Sequence, residues 1–198
     1  MTASNEELEL KDRLSLIETM IAEGRRTTQS YGWTFVLWGV AYFVAILWSA
    51  ATHSYYAWPV TMTSSAILMA IILWRKRIGK PTTSKNRAIG AVWYAVGTSM
   101  FVLLFSLGYS GRADQHTFIA AVGAMLATAN AASSIILRWK LQFACAVVWW
   151  ALTIFACFGH GILLTIAYLA ALFFCQIVFG IYLMIREARA RREEATHA

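Results

Sequence analysis

Six long apolar stretches constrain this chain more than any other feature, because each comes close to the roughly twenty residues that a helix needs to cross hydrocarbon. They run from Tyr31 to Ala51, Tyr56 to Trp74, Ala88 to Tyr109, Thr117 to Leu137, Leu141 to Phe158 and Gly161 to Ile185. The fold class expected is therefore all-α, a polytopic membrane protein built as a six-helix transmembrane bundle. Composition agrees: 59% of the residues are hydrophobic and 14% charged, where a soluble domain carries about 25% charged. The first thirty residues mix acidic and basic side chains and contain no short apolar core. No cleavable signal peptide is expected there, and the first apolar run reads as a retained span. The boundary between the fifth and sixth spans rests on a turn at Gly159, His160 and Gly161.

Charge orients such a bundle, since Lys and Arg near span ends stay on the cytoplasmic side. Counting alternate sides, sixteen basic residues fall together, including Arg75 to Arg87, Arg138, Lys140 and Arg186 to Arg192, while the other side has only Arg112. Both termini are therefore expected in the cytoplasm, and the cell membrane, in particular a bacterial inner membrane, is the expected location. The net charge of +7 lies between apolar runs, which points to a lipid bilayer surface and not to nucleic acid. Trp33, Trp48, Trp58, Trp74 and Trp139 fall near span ends, where indole is favoured.

The chain divides into a cytoplasmic amphipathic helix at 1–27, the bundle at 28–186 and a basic cytoplasmic tail at 187–198. Within the bundle the spans read as three hairpins whose return helices end alike, in Ile72-Leu73-Trp74-Arg75, Ile136-Leu137-Arg138-Trp139 and Met184-Ile185-Arg186. Two explanations stand: an ancient repeat, or the common way in which membrane helices end at the cytoplasmic face. In the first segment, Ser4 with Glu7 matches a capping box and Gly24 a helix stop. Between them Leu10, Leu14, Ile17 and Ile21 make one apolar stripe. The acidic residues beside it favour a protein contact over anionic lipid, with another membrane or cytoplasmic protein or a second copy as partner.

The chemistry available inside the spans is narrow. None of the ten carboxylates and none of the histidines lies deep in a span. That argues against a proton relay, intramembrane aspartyl proteolysis, a serine nucleophile with its base, and a buried haem. A phosphate-binding loop with its lysine is also missing. The chain is accordingly expected to be no enzyme and to carry no cofactor. The deepest polar side chains are Asn130 and Gln176, with Thr63, Ser64 and Ser65 near their level. They read either as structural hydrogen-bonding groups or as the lining of a solute path. Gly123, Ala127 and Ala131, spaced by four, suit close packing and mark the fourth span as the central helix. Cys145, Cys157 and Cys175 read as small apolar residues.

One outer-side constellation remains. His53, His116 and His160 stand one to each short outer loop, and Cys157 lies three residues before His160. Together these are a candidate metal or pH-sensing set; the alternative is that they are ordinary interfacial residues. The leading function is a non-enzymatic membrane protein acting by contact, as a regulator or accessory subunit of a complex. The alternative is a small oligomeric transporter or channel for a neutral or apolar solute, with a path near Asn130 and Gln176.

Overall fold

The computed structural model describes residues 11–15, 32–52, 56–77, 84–110, 114–159 and 161–196, and every element among them is helical. Six helices are long and apolar enough to cross a membrane. They are α1 (Gly32–Thr52), α2 (Ala57–Arg77), α3 (Ser84–Tyr109), α4 (Gln115–Leu137), α5 (Lys140–Phe158) and α6. The last runs as α-helix over Ile162–Leu172, widens to a π-turn over Phe173–Val178, and resumes as α-helix over Phe179–Thr196. The five residues 11–15 are helical and exposed, Leu14 among them. The rest of the N-terminal stripe, Leu10, Ile17 and Ile21, lies outside the described residues, as do the capping residues Ser4 and Glu7.

The helix ends follow from local chemistry. Asp114 caps α4 by accepting from the Thr117 amide at 2.7 Å and from the Thr117 hydroxyl at 3.1 Å. At the other end Arg138 adopts the left-handed conformation (φ 53°, ψ 45°). The Trp139 amide then reaches Ser134 O at 2.9 Å and the Arg138 amide reaches Ile135 O at 3.3 Å, the two closing bonds of a Schellman cap. Only two residues separate α4 from α5 as a result. Gly161, at φ 68° and ψ −147°, takes a conformation that a Cβ would strain, which lets the chain reverse into α6.

The tightest pairing is α4 against α5. It joins the second and third hairpins, so the closest packing crosses the boundary between units of the suggested repeat. A Cβ on Gly123 would stand 2.7 Å from Thr153 Oγ1 and 3.4 Å from the Trp149 carbonyl, and Ala127 is fully buried. The small-residue stripe thus faces α5, and α4 is the most buried of the six helices. A second close approach joins α1 to α6. There a Cβ on Gly32 would lie 2.7 Å from Gly180 O, and one on Gly180 the same distance from Gly32 O. Gly39 meets Gln176 and Ile177 in the π-turn in the same way. Helices α2 and α3 are peripheral, and both leave most of their apolar length exposed.

Aromatic rings tie the helices together at two levels. Near the ends without basic residues, Tyr42, Trp58, Phe118, Tyr168 and Trp149 follow one another edge to face from α1 through α2, α4 and α6 to α5, with centroids 4.8 to 6.3 Å apart. Near the basic ends Trp93, Phe35, Phe179 and Trp139 form a second run, and Arg186 lies 5.4 Å over the Trp139 ring. Trp58 and Trp139 therefore sit near helix ends as expected, but each packs inward on a neighbouring helix.

Candidate functional site

Interior polar groups mark the candidate site, because a buried polar atom without a partner costs about 1 to 3 kcal/mol and calls for an explanation. Asn130 is fully buried, and its Nδ2 donates to Leu126 O at 2.8 Å, one turn back along its own helix. Its Oδ1 has no partner. The bond expected between Asn130 and another helix is thus replaced by one within α4. Ser133 Oγ, Gln142 Oε1, Trp149 Nε1 and Tyr168 OH are likewise buried without partners.

These atoms are not scattered. The two-residue turn between α4 and α5, with a rise of about 1.5 Å per residue, sets Ser133 within about 3 Å of the level of Gln142, and Asn130 within about 3 Å of the level of Cys145. On α6, Gln176 in the π-turn is buried against α1. Further from the turn, the Trp149 and Tyr168 rings meet at 6.2 Å. Together the orphaned atoms form a ladder of acceptors and donors along the α4–α5–α6 seam, and none of its members carries a formal charge. Such a ladder suits water or a neutral polar solute better than an ion. The hydroxyls of α2 do not join it: Thr63 and Ser64 are exposed, and Ser64 Oγ donates back to Thr61 O at 3.0 Å.

At the opposite end, the structure brings together two members of the histidine set. His116 Nδ1 lies 3.0 Å from Ala156 O; a carbonyl only accepts, so this nitrogen carries the proton. His116 and Cys157 both line a hollow of about 590 Å³ between α4 and α5, with Thr117, Ala120, Ala121 and Ala156. Cys157 Sγ itself donates to Thr153 O at 3.4 Å. Among the described residues no three His, Cys, Asp or Glu side chains converge as a metal site would require, and His53 and His160 lie outside those residues. Asp114 turns to its cap, where the Thr117 amide and then the Thr117 hydroxyl hold its carboxyl below the ordinary value of 3.8, with a smaller contribution from His116.

Sequence reasoning missed Gln142, Ser133, Trp149 and Tyr168 as interior polar groups. Gln142 was the findable one. It stands two residues into α5 on the same stripe as Cys145 and Trp149, at spacings of three and seven, and that stripe is the buried face. No family model matches the chain, and no curated protein or solved structure is significantly similar to it.

Proposed function

We propose that this chain is a non-enzymatic integral membrane protein of the cell membrane, with both termini cytoplasmic, that acts by protein contact as a regulator or accessory subunit of a membrane complex. The observation that supports it is the lopsided bundle. Helices α1, α4, α5 and α6 make the core, whereas α2 and α3 present long apolar faces that none of the described residues covers. On α3, Tyr94, Phe101 and Phe105 are all exposed on one face, with Gly90 and Gly97 open beside them. Aromatic side chains beside backbone left bare by glycine suit a close-packed partner helix. The exposed Leu14 on a helical turn ahead of the bundle supports a cytoplasmic contact as well.

The test is copurification of the full chain in mild detergent, with Gly97→Leu as the variant that fills the open face. Recovery of a stoichiometric partner, or of a self-complex, that Gly97→Leu loses supports contact. A parent that runs as a lone monomer refutes it.

A second reading, a small transporter or channel for a neutral solute, is favoured by the ladder from Tyr168 and Trp149 to Asn130 and Gln142. Its test is solute or water flux in vesicles, which Asn130→Leu should abolish.

A further inference from the structure

We propose that the start of α5, flanked by Arg138, Lys140 and Arg186, binds the headgroup of an anionic phospholipid whose acyl chain lies along the outer face of the same helix. The inference rests on membrane insertion and is independent of the contact function.

The site begins with a residue that local chemistry disfavours. Arg138 holds the left-handed conformation at the end of α4 (φ 53°, ψ 45°), the position that glycine usually takes in a Schellman cap. Among the described residues no other side chain stands on a positive φ. Glycine would close the same turn without the strain of a Cβ. The turn thus carries an exposed guanidinium where the backbone favours no side chain at all. Two residues on, Lys140 opens α5 and is exposed too. Between them Trp139, the cap residue of α5, makes no side-chain hydrogen bond to the helix end. The first backbone bond of the helix runs from the Phe143 amide to Trp139 O at 3.2 Å, which leaves the amides of Lys140, Leu141 and Gln142 directed out of the helix end. Arg186 of α6 lies 5.4 Å over the Trp139 ring and brings a third cation to this end.

Cations and uncapped amides both favour a negative group. Gln142 adds an independent observation, because its side chain is 3% exposed and its Oε1 has no partner. Helical side chains lean towards the N-terminus, so this buried acceptor is aimed at the same end, where a headgroup hydroxyl would satisfy it. Glu187, Glu193 and Glu194 are carried by α6, whereas neither the turn nor α5 carries a carboxylate. Below the charged end the surface turns apolar. Steps of three and four from Lys140 lead to Phe143, Val147, Trp150 and Ile154, all exposed, so the cation and these side chains share one helix face. The Phe143 and Trp150 rings meet edge to face at 6.2 Å. From Lys140 to Ile154 the face runs about 21 Å, longer than the depth of one leaflet, which is about half of a 30 Å hydrocarbon core. A phosphate with an acyl chain matches both parts of this surface; free phosphate would use only the first.

The experiment uses the full chain, with flotation on liposomes checked first so that failed insertion is distinguished from failed recognition. Native mass spectrometry then reads the lipid retained from an equimolar mixture of phosphatidylglycerol and phosphatidylcholine with the same acyl chains. The parent is expected to retain phosphatidylglycerol at least about fivefold over phosphatidylcholine. Arg138→Gly and Lys140→Gln should each lower that preference about fivefold, the effect of one cation at a membrane surface. Arg138→Gly also relieves the turn, so in phosphatidylcholine it should melt no lower than the parent, and its loss of lipid is then no sign of misfolding. Arg75→Gln removes the same charge at the end of α2 and should keep the parent's preference. Excess inorganic phosphate should leave the bound phosphatidylglycerol in place. Equal retention of both lipids by the parent, a loss in Arg75→Gln as large as in Lys140→Gln, or displacement by inorganic phosphate overturns the proposal.

Discussion

The seam between α1 and α6 gives the sharpest test of the packing. In Gly180→Ala the new Cβ would lie 2.7 Å from Gly32 O, 2.7 Å from Val36 Cγ2 and 3.0 Å from Phe35 Cβ. Ordinary contact begins at 3.4 Å, so the first two approaches are short by about 0.7 Å. The oxygen belongs to the facing backbone and cannot rotate away, so the helices must separate, and overpacking of this kind costs about 1 to 3 kcal/mol. Replacing Gly in a helix returns up to about 1 kcal/mol of propensity. With that return in full, the net loss expected is up to about 2 kcal/mol, a factor of up to roughly 30 in the folding equilibrium, and the gap to a glycine variant with an open Cβ position is about 1 to 3 kcal/mol. Gly32→Ala presses on the same seam, its Cβ 2.7 Å from Gly180 O, so once the helices have separated for one substitution the other adds little, and the double variant should lose less than the sum of the two. Gly90→Ala and Gly97→Ala are the controls. A Cβ at either meets no heavy atom within 4 Å, so both should match the parent or gain slightly. Reversible unfolding of the parent and all five variants, by SDS titration in mixed micelles or by steric trapping in bicelles, measures the differences. A Gly180→Ala protein as stable as Gly97→Ala would refute the seam.

Two further outcomes are expected. Asn130→Leu keeps the branched shape while removing an acceptor that has no partner, so its stability in the same unfolding assay should lie within about 1 kcal/mol of the parent; a loss well above that would mean that the amide holds a neighbouring helix. At the α4 cap, the carboxyl of Asp114 is held below its ordinary value by Thr117, so the ionised form stabilises the fold. This contribution is complete above about pH 4, the unfolded carboxylate value, and disappears as pH falls through the lower folded value. A pH series of unfolding midpoints should therefore show parent exceeding Asp114→Asn at neutral pH and converging with it in strong acid, and a gap that persists unchanged below pH 2 would contradict the cap.

The six helices were legible because hydropathy and span length depend on local composition alone. Expected boundaries such as Thr117 to Leu137 and Leu141 to Phe158 fall within two residues of the observed Gln115–Leu137 and Lys140–Phe158. The glycine turn before α6 was legible too, since Gly161 needs its positive φ. The central position of α4 followed from Gly123, Ala127 and Ala131. What stayed hidden depends on which helices are neighbours. Phe118 and Tyr168 lie fifty residues apart, and nothing along the chain says that α4 and α6 bring their rings together. Gly32 and Gly180 are as distant, although the seven-residue spacing of Gly32 and Gly39 was a signal of helix packing. The π-turn was not legible because hydropathy does not record the phase of backbone hydrogen bonding. Asn130 is fully buried in the bundle, but whether its amide bonds its own helix or another depends on side-chain direction, which the sequence does not record.

All of these readings assume a bundle that crosses the bilayer six times with its basic ends inside, and a topology map tests that assumption most directly. Paired reporters, one active only in the cytoplasm and one only outside it, are fused after Arg77, Lys140 and Ala198 and within the segments at His53, Arg112 and His160. The account predicts cytoplasmic signal from the first three fusions and outside signal from the other three. A cytoplasmic signal at Arg112 or His160 would contradict it.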